Sequence, residues 1–267
     1  MINNEDIDAI IVTASWFSID KIILPLLEYR IPCFIEKPIA LSSKVVENII
    51  DIIDIHKTHI QIGYNRRFYN YNNEIKKYIN NNPIRSVIVE IPEPLDISDI
   101  KLGQYLWFQN STHILDMMKN YFGDYFIISN KKTKFINDKY HDTFNLLLST
   151  KTGVPIHLIA NWNVPSNFGI TINFKNTIIK ISPLESGYLY KGFDIIEPTV
   201  DLPIRRYNPK IIKEYKCSKK DDIYKPGFLN QHKYFFNLMD KKERNNYNPT
   251  SLKDILFYSK FIESVYK

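Results

Sequence analysis

Short apolar segments alternate with amphipathic helical stretches over the first 63 residues, and this alternation restricts the possible folds more than any other feature. The apolar runs 7–12, 32–35 and 59–63 have the length and composition of buried parallel strands. Between them, residues 22–27 and 45–53 carry apolar side chains at helical spacing. Strands that alternate with helices in this way predict βαβ units and a parallel sheet.

The pattern changes after residue 85, where apolar and polar residues alternate instead. Such alternation over 87–91 and 144–148 predicts strands with one buried face. The dipeptide Lys175-Asn176 lies between two further apolar runs and indicates a hairpin. Many strands with few crossing helices are typical of an antiparallel or mixed sheet.

Helical periodicity in this second part predicts a helix over 112–121, ended by Gly123, and a last helix over 252–266. The predicted fold class is therefore α/β plus α+β. Residues 1–64 would form the C-terminal half of a dinucleotide-binding (Rossmann) domain. Residues 65–267 would form a substrate and oligomerisation domain of the α+β class, built on a mixed, largely antiparallel open sheet.

Composition excludes several classes of function. The net charge of +6 comes from 35 basic and 29 acidic residues that are interspersed, so no basic block predicts nucleic-acid binding. Cys33 and Cys217 are isolated, which argues against a disulfide framework or a cysteine metal motif. No apolar run approaches the ~20 residues of a membrane helix, and no signal peptide is recognisable. We expect a cytoplasmic protein with no metal and no nucleic-acid or membrane partner.

The tripeptide Glu36-Lys37-Pro38 directly follows the second predicted strand. Open α/β sheets bind ligands at the carboxyl ends of their strands. A lysine there is able to donate a hydrogen bond to a reacting oxygen and to stabilise its developing charge. A surface lysine before a proline is also common, so the tripeptide alone leaves a structural role open.

Two arginines follow the third predicted strand, in the segment 63–68. Guanidinium groups at a strand end suit phosphate or carboxylate ligands. The alternative is an interdomain salt bridge with Phe68 in the core. We favour the salt bridge for Arg67, whereas both interpretations stay open for Arg66.

A histidine begins the helix predicted after residue 110. Asn110 or Ser111 would cap this helix and place His113 in its first turn. The positive end of a helix disfavours imidazolium and leaves a neutral base at pH 7. Asp116, three residues later, would share the same helical face. A histidine at a helix start is more often structural than catalytic when it is taken alone.

In this order and spacing, the segments resemble the Gfo/Idh/MocA family of oxidoreductases. Residues 6–13 are similar to the family's fourth Rossmann strand, 34–40 to its E-K-P signature, 63–68 to its entry into the second domain and 113–116 to its H-x-x-D helix. The resemblance continues more loosely through Trp162, 183–185 and 226–228.

The resemblance implies hydride transfer between NAD or NADP and a hydroxyl-bearing carbon of a sugar or nucleotide-sugar. Lys37 would hydrogen-bond the reacting oxygen and His113 would take its proton, which agrees with the need for a base near neutrality. It also implies a homo-oligomer formed through the second sheet. The implied substrate contacts are Asn65, Arg66, Gln109, Asn110 and Asp116. The implied cofactor contacts are Thr13, Ser15, Glu36, Lys37 and Pro38.

The sequence departs from the family pattern in three places. Gln109 stands where the family often has an aspartate, and Ser18 where it often has a histidine. The sequence also contains no G-x-G-x-x-G, the turn that anchors the cofactor pyrophosphate at a helix N-terminus. We therefore expect either an N-terminal half from a longer product or a separate polypeptide, or a non-catalytic sugar-binding or interaction protein.

Overall fold

The computed structural model describes residues 6–93, 105–135, 140–218, 221–240 and 247–267. The described helices, in chain order, are α1 (Trp16–Leu27), α2 (Ser43–His56), α3 (Asn72–Asn81), α4 (Ser111–Phe122), α5 (Asp221–Tyr224), α6 (Phe228–Met239) and α7 (Leu252–Tyr266). A 3₁₀ turn spans Asn65–Phe68. The described strands are β1 (Ile10–Val12), β2 (Cys33–Ile35), β3 (Ile60–Ile62), β4 (Ser86–Glu93), β5 (Tyr125–Thr133), β6 (Thr143–Thr150), β7 (Pro155–Trp162), β8 (Gly169–Phe174), β9 (Thr177–Ile181), β10 (Ser186–Ile196) and β11 (Arg206–Lys216).

A three-stranded parallel sheet forms the first part of the structure, as the sequence predicts. Its order is β1-β2-β3, and Phe34 of β2 lies between Ile11 of β1 and Gln61 of β3. The central strand β2 is buried along its whole length, which explains its continuous apolar run. Helix α2 begins where Ser42 accepts a hydrogen bond from the Val45 N–H, at 3.4 Å.

The second sheet has eight strands in the order β11-β10-β9-β8-β4-β7-β6-β5. Neighbouring strands are antiparallel except β4 and β7, which run parallel. The mixed, largely antiparallel sheet is therefore confirmed. The hairpin at Lys175-Asn176 joins β8 to β9, and Asn176 adopts the left-handed conformation that such a turn requires (φ 57°).

The long hairpin of β10 and β11 is an element that the sequence pattern does not reveal. Nearly every residue of β11 is exposed, and only Tyr215 is buried. A strand exposed on both faces has no buried side to impose an alternation of apolar and polar residues. Its register with β10 is instead interrupted by irregularities around Leu189 and Tyr190.

The chain divides into two compact units that do not follow the single boundary predicted after residue 64. The first comprises Met1–Asn73, Ile97–Asp124 and Ser218–Lys267, and the second Glu74–Asp96 and Tyr125–Cys217. Helices α4, α6 and α7 thus pack with the parallel sheet. Long-range contacts explain this: the Glu263 carboxylate of α7 accepts hydrogen bonds from the N–H and hydroxyl of Ser43, at 2.7 and 2.8 Å. Strand patterns predict a single boundary along the chain and do not reveal that later segments fold back onto the first unit.

A buried ion pair connects three segments of the first unit. Both Arg67 Nε and Nη2 donate to the Asp116 carboxylate at 2.7 Å, a bidentate arrangement. The Thr250 hydroxyl donates to the same carboxylate at 2.9 Å. Both charged side chains are 1% exposed, so each charge depends on the other for compensation.

The loop before α6 is held closely against the 3₁₀ turn. The Asn65 side-chain amide donates to the Pro226 carbonyl at 2.8 Å. Gly227 is left-handed (φ 78°), and a Cβ at this position would lie 2.1 Å from the Asn65 carbonyl oxygen. Only glycine fits this close approach of two backbone segments.

In the part of the chain that the structure describes, we find no helix with the length and apolar character needed to cross a membrane.

Replacement of Asp116 by asparagine is expected to lower the free energy of unfolding by about 3–5 kcal/mol, because it leaves the buried Arg67 charge with only its longer contact to Asp254. Urea unfolding followed by far-UV circular dichroism measures the change. Asp254→Asn is the matched control. Its carboxylate lies 3.4 Å from Arg67 and is 21% exposed, so its loss should cost about 1 kcal/mol. Equal costs for the two variants would contradict a dominant role for Asp116.

Gly227→Ala should destabilise the first unit more than Gly123→Ala. Both glycines have positive φ, 78° and 74°, but no atom lies within 4 Å of a Cβ built at Gly123. Gly123→Ala therefore carries only the backbone cost and should lower Tm by about 2–4 °C. Gly227→Ala adds the clash with Asn65 and should lower Tm by more than about 6 °C. Thermal unfolding of both variants tests this, and equal shifts would disprove the close packing.

Candidate functional site

The carboxyl ends of the three parallel strands lie along one edge of the first sheet. Thr13 and Ser15 follow β1 and are exposed, Glu36 and Lys37 follow β2 and are half-buried, and Gly63 follows β3. Pro38 is buried, and the Lys37–Pro38 peptide bond is cis. The residues predicted to contact a cofactor therefore gather at the edge where open α/β sheets bind ligands.

Lys37 is fixed to the start of α4 through a main-chain carbonyl. Its Nζ donates to the Gln109 carbonyl oxygen at 2.9 Å. The Thr112 hydroxyl donates to the same oxygen, also at 2.9 Å. This shared acceptor connects the end of β2 to the helix that carries His113, and it fixes the ammonium group at the strand end.

His113 lies in the first turn of α4, as predicted. Its backbone N–H donates to the Asn110 carbonyl at 3.0 Å. The Asn110 side chain makes no capping hydrogen bond. The residue is 7% exposed, and its imidazole packs edge-to-face against Tyr64, with ring centroids 5.5 Å apart. Its Nδ1 atom is buried and has no hydrogen-bond partner among the described residues.

The pKa of His113 lies well below its ordinary value of 6.5. Burial is the largest cause, followed by the positive charges of Arg66, Lys37 and Lys225. The imidazole is therefore neutral at pH 7, the state required of a general base. The sequence predicts this direction from the helix N-terminus, whereas burial and neighbouring cations are the causes that the structure identifies.

Glu36 lies directly over Gly63. A Cβ built on Gly63 would be 2.8 Å from the Glu36 Oε2 atom, so the absence of a side chain there makes room for the carboxylate. Burial raises the pKa of Glu36, and this effect is opposed by a hydrogen bond from the Lys37 backbone N–H and by the charges of Lys37, His232 and Lys225. The carboxylate is thus one member of a compact group of charges at the end of β2.

Lys225 is the member of this group that sequence reasoning missed. It adopts a left-handed conformation (φ 65°) immediately before the loop that packs on Asn65. No local pattern singles out a lysine in a loop that lies far along the chain from the other site residues. The only available signal was the loose family resemblance of 226–228, which does not include this residue.

Two residues predicted to bind substrate have other roles in the structure. The buried side chain of Asn65 donates to the Pro226 carbonyl at 2.8 Å and so holds the loop. The Asp116 carboxylate is fully buried and is occupied by Arg67 and Thr250. Both side chains therefore have structural partners, and their role as substrate contacts stays a prediction. The favoured salt bridge of Arg67 is present, but it lies within the first unit.

The other predicted substrate contacts lie near His113. Gln109 and Asn110 are half-buried at the start of α4, and Arg66 is half-buried in the 3₁₀ turn. The structure therefore brings Lys37, His113, Arg66, Gln109 and Asn110 together within the first unit. Groups of three or more potential metal-ligating side chains are absent from the described residues.

No protein-family model matches the sequence. A curated relative, the uncharacterized oxidoreductase YrbE of Bacillus subtilis, is 26% identical over 128 residues. The alignment covers 46% of this chain and 38% of that protein, so it spans well under half of the relative's length.

Solved structures match almost the whole chain at low sequence identity. The dehydrogenase MviM of Clostridium difficile is 17% identical with a TM-score of 0.74, covering 97% of this chain and 78% of its own. The aldose-aldose oxidoreductase of Caulobacter crescentus is 16% identical with a TM-score of 0.75, covering 99% and 78%. The UDP-N-acetylglucosamine 3-dehydrogenase GnnA of Acidithiobacillus ferrooxidans is 12% identical with a TM-score of 0.72, covering 97% and 77%. The resemblance noted in the sequence is thus confirmed at the level of structure, and the chain has the two-domain fold of the Gfo/Idh/MocA dehydrogenases.

Proposed function

We propose that this chain is the substrate-handling part of a Gfo/Idh/MocA-type oxidoreductase, which transfers a hydride between NAD or NADP and a hydroxyl-bearing sugar carbon. The observation that carries the proposal is the pairing of a fixed lysine with a buried, neutral histidine. Lys37 is held at the end of β2 by the Gln109 carbonyl, and His113 lies in the helix that begins just after this carbonyl. The fold and the weak similarity to an oxidoreductase support the same assignment.

The two side chains divide the chemistry between them. The Lys37 ammonium would donate a hydrogen bond to the sugar oxygen and stabilise the negative charge that develops on it. His113 Nδ1 is buried, so Nε2 would be the nitrogen that meets the hydroxyl and takes its proton. A bound nicotinamide would accept the hydride from the same carbon.

The residues around β2 suit the nicotinamide end of such a cofactor. Glu36, Lys37 and Pro38 stand at the carboxyl end of the central strand, with Thr13 and Ser15 beside them after β1. The connection from β1 to α1 contains no glycine, and in the described helices we see no glycine-rich turn that would anchor a pyrophosphate. We therefore include in the proposal a further polypeptide segment, contiguous or separate, that supplies the phosphate contacts.

We also propose a homo-oligomer formed through the second sheet. Ile88, Ile159 and Ile178 lie on one face of β4, β7 and β9 and are each exposed by more than a third. Exposed apolar side chains on a sheet face contribute to protein contact surfaces.

A second candidate function is sugar binding without redox chemistry. It is favoured by one observation: Nδ1 of His113 lacks the acceptor that usually orients a catalytic imidazole. The family's aspartate would stand four residues earlier, where this chain has Gln109. A binding protein of this kind would retain the sugar site and show no turnover.

Saturation-transfer NMR with NADH and the 267-residue chain tests the cofactor assignment. We expect stronger saturation of the nicotinamide protons than of the adenine protons, because the described contacts lie at the nicotinamide end. Binding should be weak, with Kd on the order of 1 mM, since the pyrophosphate anchor is not among these contacts. ATP, which has no nicotinamide, is the control. Equal saturation of ATP and NADH, or of adenine protons alone, would contradict the assignment.

Lys37→Met and His113→Asn should each reduce sugar-dependent NAD reduction strongly, measured at 340 nm over a panel of sugars. The expected loss is about 10²–10³-fold for Lys37, which stabilises charge, and about 10²–10⁴-fold for His113, the base. Lys44→Met is the matched control because Lys44 is 77% exposed on α2. Turnover in the wild type that survives both site variants would refute these roles. Absence of turnover together with absence of nicotinamide contact in the NMR experiment would favour the binding protein.

A further inference from the structure

The backbone of His113 is fixed, whereas the orientation of its imidazole needs a further contact. The residue lies in the first turn of α4, where its backbone N–H donates to the Asn110 carbonyl at 3.0 Å. The χ2 torsion that orients a histidine ring has only broad intrinsic preferences. In catalytic sites an acceptor on the nitrogen that faces away from the substrate often determines the orientation. Nδ1 of His113 has no hydrogen-bond partner among the described residues, so a different contact has to do this.

Tyr64 provides the aromatic ring that contacts the imidazole. The two ring centroids are 5.5 Å apart and the ring planes are inclined by 77°, which is an edge-to-face arrangement. Such a contact is directional, because the positive edge of one ring meets the negative face of the other. Tyr64 is 1% exposed and His113 is 7% exposed, so water scarcely competes with the contact. The contact therefore restricts rotation of the imidazole.

Tyr64 is itself held from two sides. Its backbone N–H donates to the Ile62 carbonyl at 2.8 Å, and its carbonyl accepts from the Arg67 N–H at 3.1 Å. The ring of Tyr258, on α7, packs edge-to-face against the Tyr64 ring, with centroids 5.7 Å apart and planes inclined by 64°. The three rings are buried, and all belong to the first unit. A tyrosine fixed by its backbone and by a second ring is able to hold a neighbouring side chain in one orientation.

We propose that Tyr64 is the positioning residue of His113. Its ring holds the imidazole with Nε2 toward the substrate hydroxyl, in place of the acceptor that Nδ1 lacks among the described residues. The proposal rests on the function proposed above and deepens it, because it identifies a second residue on which proton transfer depends. With this contact, the neutral imidazole needs no carboxylate partner to keep its basic nitrogen directed at the hydroxyl.

Nuclear Overhauser spectra of the 267-residue chain with labelled histidine test the proposal. The chain has six histidines, so its ring signals are few, and His113→Asn identifies the His113 signals by their loss. In the wild type, the ring protons Hδ2 and Hε1 should each show one fixed set of neighbours, and Tyr64 should be among them. Tyr64→Leu should add further neighbours because the imidazole rotates. Tyr64→Phe retains the ring and should preserve the wild-type set.

Phe68→Leu is the matched control, because Phe68 lies in the turn that follows Tyr64 and is 0% exposed. Its ring contacts Tyr234 and Tyr247, with centroids 5.6 and 5.1 Å away. This variant should lose a similar amount of packing and leave the neighbours of His113 unchanged. If Tyr64→Leu does not fold, Tyr64→Met takes its place, since a flexible methionine fills the space without an aromatic edge or face.

An unchanged set of His113 neighbours in Tyr64→Leu would overturn the proposal, as would the same change in Phe68→Leu. A wild-type imidazole that shows no fixed set of neighbours would also overturn it.

Kinetics separates this proposal from the oxidoreductase function. If the chain turns over sugars, Tyr64→Leu should lower kcat about 2- to 10-fold, the effect of one aromatic contact. KM should not change, because the buried Tyr64 does not reach the substrate, and Tyr64→Phe should restore kcat. An equal kcat in Tyr64→Leu and the wild type would overturn the proposal and retain the function. Absence of turnover and of nicotinamide contact, with the spectral change in Tyr64→Leu intact, would reject the function and retain the orienting role.

Discussion

The buried pair of Arg67 and Asp116 is the interaction on which the rest of the first unit depends. It joins the turn after β3 to the middle of α4 and, through Thr250, to the segment before α7. Arg66 directly precedes Arg67 in the 3₁₀ turn, and His113 lies three residues before Asp116 in α4. The ion pair therefore fixes the position of Arg66 relative to His113. A charge pair with almost no solvent exposure tolerates little change in geometry. Arg66 and His113, which are close to the pair in sequence, are therefore also held in place.

The site combines a rigid frame with several positive charges around a neutral histidine. Burial keeps His113 neutral, and the surrounding cations strengthen this effect. The same cations would favour an oxyanion at the Lys37 ammonium. A neutral base and a positive environment are thus produced together, because each cation that stabilises a bound anion also opposes protonation of the imidazole.

The fold class is predictable from the sequence because β2, α2 and α7 each have the pattern of apolar residues that is typical of a strand or a helix. Helix α7 spans Leu252–Tyr266 as expected, with a capping box at Ser251. The exposed strand β11 leaves no such signal, and the return of α4, α6 and α7 to the first unit depends on contacts between distant residues. At the site, Lys37 follows a recognisable strand, and His113 lies at a recognisable helix start. The partners of Asp116 and Asn65, namely Arg67, Thr250 and Pro226, could not be predicted from local patterns because they are distant in the sequence.

The acceptor that holds Lys37 is a carbonyl of the main chain. Every amino acid carries this group, so the lysine keeps its anchor whatever side chain stands at position 109. The position of Lys37 is in this sense independent of the side chain at position 109. A change of side chain at position 109 retains this carbonyl and therefore leaves the lysine in place. Position 109 is therefore open to substitution, by evolution or by design, without loss of the anchor that places the lysine at the end of the strand.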